Sequence, residues 1–144
     1  MKRLVKRFFC GLMAVCMLSA FMCASAVEQA SYYLDSYTAG LTAQGGGDIA
    51  VTVDVRGTGR MTEIGASEIH IYESTTRTGS YEWVASYYAD DYPDMLGSGT
   101  YYFDTPIIHE GTAGRYYIAD VVFYAGNSSG SDTGDYTTVA CRAT

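Results

Sequence analysis

The chain has 144 residues, of which 48% are hydrophobic and 17% are charged, and its formal net charge at pH 7 is −7. This length corresponds to about one domain. Sixteen acidic residues against nine basic ones argue against binding to nucleic acid or to anionic lipid, because both rely on basic side chains.

Residues 1–26 contain the three parts of a secretory signal peptide. Four basic side chains lie among the first seven residues, and an uncharged apolar run follows at 8–22. This run is shorter than the roughly 20 residues that span a membrane. The small-residue sequence ASA at 24–26 is a typical cleavage site. We therefore predict a secreted, extracellular protein whose mature domain is 27–144.

Removal of the signal peptide leaves a domain that is more acidic and has one cysteine. Residues 27–144 contain five arginines, no lysine and all sixteen acidic residues, which gives a formal charge of −11. Such acidity favours solubility outside the cell. Cys141 is the remaining cysteine, so its thiol is either buried or paired with another chain. The mature domain must therefore be stabilised by its hydrophobic core.

The composition of the mature domain favours β-strands, because it is rich in tyrosine, threonine, valine and isoleucine. The clearest strand is DIAVTVDVRG at 48–57, in which apolar and polar residues alternate. Glycine clusters at 45–47 and 57–59 flank this strand and are typical of turns. An opening strand is predicted in YTAGLTAQ at 37–44.

Further strands are predicted after the second glycine cluster. Trp83 is assigned to the core side of its strand, because Glu82 beside it cannot be buried cheaply. The Gly- and Ser-rich segment 126–135 is interpreted as the last hairpin loop. The predicted strands are SEIHIYE at 67–73, SYEWVASYYAD at 80–90, GTYYFD at 99–104, AGRYYIADVVFYAG at 113–126 and DYTTVACRA at 135–143.

The strand AGRYYIADVVFYAG predicts both a core face and a binding surface. Asp120 and the residues on the same side of this strand are predicted to face solvent, because burying an isolated carboxylate costs several kcal/mol. The opposite set forms the predicted core face: Tyr117, Ala119, Val121, Phe123 and Ala125. Four apolar residues then remain outside around Asp120: Tyr116, Ile118, Val122 and Tyr124. This patch is more apolar than solubility requires, so these four are our candidate binding residues.

About seven short strands separated by turn signals predict an all-β fold, a single antiparallel β-sandwich. The sequence GTAGRYYIADVVFYAG resembles the penultimate strand of immunoglobulin-like and fibronectin type III-like sandwiches. In those domains a tyrosine near the start of this strand closes a tyrosine corner, and Tyr117 matches that position. The cysteine–tryptophan–cysteine core of antibody domains is absent from this sequence.

The chain also resembles an uncharacterised family of small secreted proteins from Gram-positive anaerobic bacteria. The signal peptide and the sequences SYYLDSY, GTGRMTEIGASEIHIYE, GTAGRYYIADVVFYAG and DYTT carry this resemblance. It implies a secreted immunoglobulin-like domain, and it supplies no catalytic residues.

No catalytic or metal-binding motif is recognised. His70 and His109 are the only histidines, and we interpret both as solvated. Asp90, Asp91 and Asp94 offer oxygen ligands that calcium prefers, but their spacing is not that of an EF-hand, and a proline-containing acidic turn explains them more simply. We therefore predict no enzyme activity, no cofactor and no metal.

Two functions remain open. The first is non-enzymatic binding of protein or envelope components, and the second is binding of carbohydrate on exposed tyrosines. Tyrosine pairs at 32–33, 87–88, 101–102 and 116–117 favour both, because each strand exposes one ring of a pair and tyrosine suits recognition. Alternatively, these rings only cover neighbouring strands. The expected partner is protein or glycan at a cell surface, without nucleic acid or membrane, and the oligomeric state stays open.

Protein recovered from a culture supernatant should begin at Val27, because the small-residue sequence directs cleavage after residue 26. Mass spectrometry of the intact secreted chain measures this directly. Recovery of the uncleaved chain alone, in the membrane fraction, would contradict the prediction.

Overall fold

The computed structural model describes residues 31–144, so the predicted signal peptide at 1–26 lies outside the described residues. The described chain is all-β and forms one seven-stranded antiparallel sheet, which confirms the predicted fold class at this level. The strands are β1 (Leu34–Gly45), β2 (Asp48–Ser74), β3 (Glu82–Tyr88), β4 (Leu96–His109), β5 (Tyr116–Asn127), β6 (Gly130–Thr137) and β7 (Cys141–Arg142), and a 3₁₀ turn spans Pro93–Met95.

Strand β2 organises the sheet because four other strands pair with it. Its first half pairs with β1 and β4, and its second half pairs with β5 and β3. Strands β6 and β7 pair with β5. The sheet therefore consists of two groups of strands joined through one continuous strand of 27 residues.

The sequence predicts a turn at 57–59 between two separate strands, and this prediction is wrong. Strand β2 continues through these residues, because glycine lets a strand bend without ending it. A Cβ atom on Gly57 would lie 3.0 Å from the Met61 Cγ, so any larger residue would force the methionine side chain to shift. The register against β4 shifts on both sides of Met61, as it does where bulges bend a strand.

Both halves of β2 contribute to one core. The alternating residues of the first half, Ile49, Val51, Val53 and Val55, are fully buried, as are Ile64, Ala66, Ile69 and Ile71 of the second half. On β5 the predicted core face is confirmed, since Tyr117, Ala119, Val121, Phe123 and Ala125 are at most 1% exposed. Strand β1 packs onto this core through Tyr37, whose ring centroid lies 5.0 Å from that of Phe123.

Trp83 does not face the core, contrary to the prediction, and its side chain is 60% exposed. Ala85 and Tyr87 on the same strand do pack against the core, as alternation predicts. The register between β2 and β3 shifts at this point and leaves Val84 without a partner. One extra residue reverses the direction of every side chain before it, so Trp83 is turned outward.

The C-terminal region also differs from the prediction. Residues 126–135 do not form a loop, because Asn127 already pairs with Gly130 in a tight hairpin between β5 and β6. The Asn127 Oδ1 accepts the backbone N–H of Ser129 at 2.8 Å, which stabilises the turn. The predicted last strand is two separate strands, β6 and β7, and the partly buried Cys141 lies in the second.

Tyr117 fixes the way in which the chain enters β5. Its buried hydroxyl accepts the backbone N–H of Thr112 at 2.8 Å and donates to the Glu73 Oε2 at 2.6 Å. Burial, together with the hydrogen bond to Glu73, raises the pKa of Tyr117. The preceding loop is thereby tied to the end of β2.

Phe123→Ala should lower the free energy of unfolding by roughly 3–5 kcal/mol, the range for truncating a buried aromatic ring. Tyr124→Ala should cost clearly less, because the neighbouring ring is only partly buried on the opposite face. Denaturant titrations of both variants measure the difference. Equal losses, or the reverse order, would contradict the assignment of the two faces.

Candidate binding face

The candidate site is the solvent side of the second half of β2 and of the strands beside it, which we call the outer face. Register and alternation place the outward residues of four strands together on it. Its residues are Glu68, His70 and Tyr72 on β2, Trp83, Ser86 and Tyr88 on β3, Tyr116, Ile118, Asp120, Val122 and Tyr124 on β5, and Thr133, Asp135 and Thr137 on β6.

The structure brings the four predicted binding residues onto this face, and all four are partly buried. Cross-strand neighbours account for the partial burial. Ile118 lies opposite Tyr72, and Val122 lies opposite Glu68. The four side chains therefore share the predicted face, but none of them is fully exposed.

The Tyr124 ring lies along the sheet rather than projecting from it. A Cβ atom on Gly126 would lie 2.6 Å from the Tyr124 hydroxyl oxygen, so the ring covers that glycine. Its partner on β2 is Gly65, which offers no side chain to push the ring outward. This arrangement flattens one end of the outer face.

Asp120 points outward, as the cost of burying its charge predicts. Its Oδ1 accepts a hydrogen bond from the Thr137 Oγ1 at 2.6 Å. Arg142 on β7, by contrast, pairs with Tyr116 rather than with Asp120. The carboxylate is therefore held in place by a hydroxyl group on β6.

Sequence reasoning missed the two most exposed aromatic side chains of this face. Trp83 is 60% exposed and Tyr88 is 44% exposed. The tyrosine pair at 87–88 signalled that one ring would face outward. Nothing in the sequence signalled the bulge that turns Trp83 to the same side.

His70 is not solvated, contrary to the prediction, but lies in a row of hydrogen bonds. Its Nδ1 lies 2.7 Å from the Ser86 Oγ, and its Nε2 lies 3.0 Å from the Glu68 Oε2. The indole N–H of Trp83 donates to the same Ser86 Oγ at 2.8 Å. The Tyr88 ring meets the imidazole edge-on, with centroids 5.9 Å apart. These contacts orient both exposed aromatic rings.

The order Ser86, His70 and Glu68 matches that of a nucleophile, a base and an orienting carboxylate. Two features favour a structural role for it. The serine oxygen already accepts the indole N–H of Trp83, which draws electron density away from it. In addition, an acyl-transfer site needs donors aimed at the developing oxyanion, whereas backbone N–H groups on a paired sheet are directed along the ladder.

A shallow cavity of about 290 Å³ adjoins the outer face near Tyr88 and Tyr124. Three carboxylates, those of Glu63, Glu68 and Asp90, are among its lining residues, and neither lysine nor arginine lines it. Such a site favours a cation or a group rich in hydrogen-bond donors.

Of the three aspartates considered as calcium ligands, Asp90 contributes to this cavity and Asp94 lies in the 3₁₀ turn. Within residues 31–144, no group of three or more His, Cys, Asp or Glu side chains is arranged to hold a metal ion. The same part of the chain has no helix of the length and apolar character that crossing a membrane requires.

His109 lies apart from the outer face, at the end of β4, and it is partly buried rather than solvated, contrary to the prediction. Its Nδ1 lies 2.8 Å from the Tyr87 hydroxyl, and its ring meets that of Tyr117 with centroids 5.6 Å apart. Burial lowers the pKa of His109, although nearby carboxylates, chiefly that of Glu73, oppose this effect. A cavity of about 350 Å³ beside it is lined by two tyrosines, Glu110 and the end of β4.

Comparisons with known proteins add no relative: no family model matches the chain, and no significant match was found among curated proteins or solved structures.

The lowered pKa of His109 makes stability depend on pH. The folded state favours the neutral imidazole. The contribution of His109 to the free energy of unfolding should therefore be fully present above the unfolded pKa of about 6.5, and it should be lost as the pH falls below that value. His109→Gln should flatten the slope of unfolding free energy against pH between about 5.5 and 7. Denaturant titrations across this range measure the slope, and an unchanged slope in the variant would contradict the assignment.

Proposed function

We propose that the protein is a secreted, non-enzymatic β-sandwich domain that binds the surface of another protein through its outer face. One observation carries this proposal. One face of the sheet presents two exposed aromatic rings beside Tyr116, Ile118, Val122 and Tyr124, around a row of hydrogen-bonded polar side chains. Tyrosine and tryptophan dominate protein recognition because they bury large areas at a small entropic cost.

The chemistry of the face selects the partner. The adjoining cavity is lined by three carboxylates, and Asp120 and Asp135 add negative charge to the face itself. A partner with lysine or arginine side chains around an apolar centre complements this surface, because opposite charges steer association and apolar contact supplies affinity.

The pairing of the strands supports an immunoglobulin-like, fibronectin type III-like sandwich. The two halves of β2 divide the sheet into one group of β1, β2 and β4 and another of β3, β2, β5 and β6, with both groups around one core. The hydrogen bond from the Thr112 N–H to the Tyr117 hydroxyl has the form of a tyrosine corner at the start of β5.

A binding role without catalysis is supported by the way in which the polar row is used. Ser86 and His70 hold Trp83 and Tyr88 in place, as positioning groups in a recognition surface do. Export is supported by the features of residues 1–26 and by the acidity of the remaining chain. Both features also agree with the resemblance to small secreted proteins of Gram-positive anaerobes.

Binding of a neutral carbohydrate is the second candidate. It is favoured by the 60% exposure of Trp83, whose flat ring is held by its bond to Ser86 in a fixed orientation. A sugar ring can stack on such a surface, while Glu68 and Asp120 offer acceptors for its hydroxyl groups.

The double variant Trp83→Ser, Tyr88→Ser should lose at least about tenfold in affinity, since exposed aromatic anchors carry much of the energy of such interfaces. The secreted protein is tested against host and bacterial surface-protein fractions and against a glycan array. Tyr32→Ser, which removes an exposed ring that lies outside the outer face, is the matched control and should bind as the unaltered protein does.

The two candidates respond differently to charge. Capture of a protein should weaken with rising salt and in Glu68→Gln, whereas binding of a neutral glycan should be insensitive to salt. Salt-insensitive glycan binding that depends on Trp83 would replace the first candidate by the second. Binding that survives loss of both rings, or that fails equally in Tyr32→Ser, would overturn the role of the outer face.

A further inference from the structure

Strand β4 has an open edge on the other half of the sheet, away from the outer face. It pairs with β2 along one side, and no residue among 31–144 pairs along its other side. Tyr101 and Phe103 point to solvent and are 48% and 61% exposed. An unpaired edge of this kind is a template for a further strand.

The edge lacks the usual protection against such pairing. The sequence LGSGTYYF at 96–103 contains no charged residue and no proline, although edge strands commonly carry one or the other. It combines aromatic residues with zero charge, which is the signature of segments that add strands readily. Asp104 and Pro106 follow this segment and limit its length.

The other edges of the sheet are better protected. Strand β3 carries Glu82, and β6 carries Asp132 and Asp135. Strand β1 is covered in part by β6. A Cβ atom on Gly134 would lie 2.5 Å from the Tyr37 ring, so this tyrosine lies directly on β6. Residues 83–88 of β3 are also uncharged, but a bulge at Val84 interrupts that edge. Residues 101–104 of β4 pair regularly with β2, so the middle of β4 is an uncharged, open and uninterrupted edge.

Charge identifies the strand that this edge can accept. On β2, Arg56 lies opposite Tyr101 and Asp54 lies opposite Phe103. The Arg56 guanidinium carbon lies 5.5 Å from the centre of the Tyr101 ring. A β4 strand from a second copy, antiparallel and centred on Tyr102, places the second copy's Phe103 beside Tyr101. Four cross-strand neighbours then follow one another across the two copies: Arg56 and Tyr101 of one copy, then Phe103 and Asp54 of the other.

The same register avoids repulsion between two acidic chains. Residues 31–144 contain fifteen acidic side chains against five arginines, so two copies repel one another at most surfaces. In the register centred on Tyr102, Asp104 lies opposite Thr100 of the second copy, and no two carboxylates face each other. Pro106 limits the ladder because it has no N–H group to donate.

We propose that two copies of this chain associate edge to edge through β4, with a two-fold axis at Tyr102 and with the sheet continuous across both copies. The contact is self-complementary, as a two-fold interface requires. It leaves both outer faces free, so one dimer presents two of them.

Sedimentation velocity over a wide range of protein concentrations tests the proposal on the secreted protein. The unaltered chain should form a dimer, and the amides of residues 100–105 should exchange hydrogen more slowly as the dimer forms. Phe103→Lys should raise the dissociation constant about tenfold or more, because the two-fold axis removes both Tyr101–Phe103 pairs at once.

The matched control is Trp83→Lys, which replaces an equally exposed aromatic ring by the same charge on another edge strand. It should dimerise as the unaltered chain does. Added positive charge weakens repulsion between acidic copies, so loss of the dimer in Phe103→Lys cannot come from net charge. A monomer at every concentration, or a dimer that Phe103→Lys leaves intact or that Trp83→Lys disrupts equally, would overturn the proposal.

Discussion

The architecture depends on the bending of β2, which pairs along both of its edges and carries the two groups of strands. A straight strand of 27 residues would hold these groups side by side and leave the apolar face of each exposed. Glycine at 57 and the register shifts around Met61 let the strand curve, so that Val53 in the first half and Ile69 in the second belong to one core. The described part of the chain has one cysteine and therefore forms no disulfide within itself, so burial of that core is the main driving force for folding.

Burial of one face of β5 places the alternate residues of the strand on its opposite face. Asp120 decides which set of residues faces outward, because its charge is costly to bury. Tyr116, Ile118, Val122 and Tyr124 then accompany it to the surface. The binding proposal thus follows from an excess of apolar residues over what a single core face can hold, and the hydrogen bonds of His70 and Ser86 turn that excess into a defined surface.

The two proposed surfaces differ in their charge and therefore in their partners. The outer face is bordered by carboxylates and suits a basic surface, whereas the open edge of β4 is uncharged and suits a second acidic chain. They lie on different halves of β2, so occupation of one leaves the other accessible. Burial of His109 between Tyr87 and Tyr117 adds a dependence of stability on pH that involves neither surface.

The sequence by itself determined the all-β class, the alternation within β2 and the buried face of β5, because a period of two and the cost of burying Asp120 act locally. Tertiary structure alone decided that β2 runs unbroken through residues 57–59 and that Trp83 faces outward. Both depend on bulges, where one unpaired residue reverses the alternation, and a bulge is set by the partner strand rather than by the local sequence. The four candidate residues on β5 were therefore readable from the sequence, whereas the polar row and the exposed indole beside them required the pairing of β2 with β3.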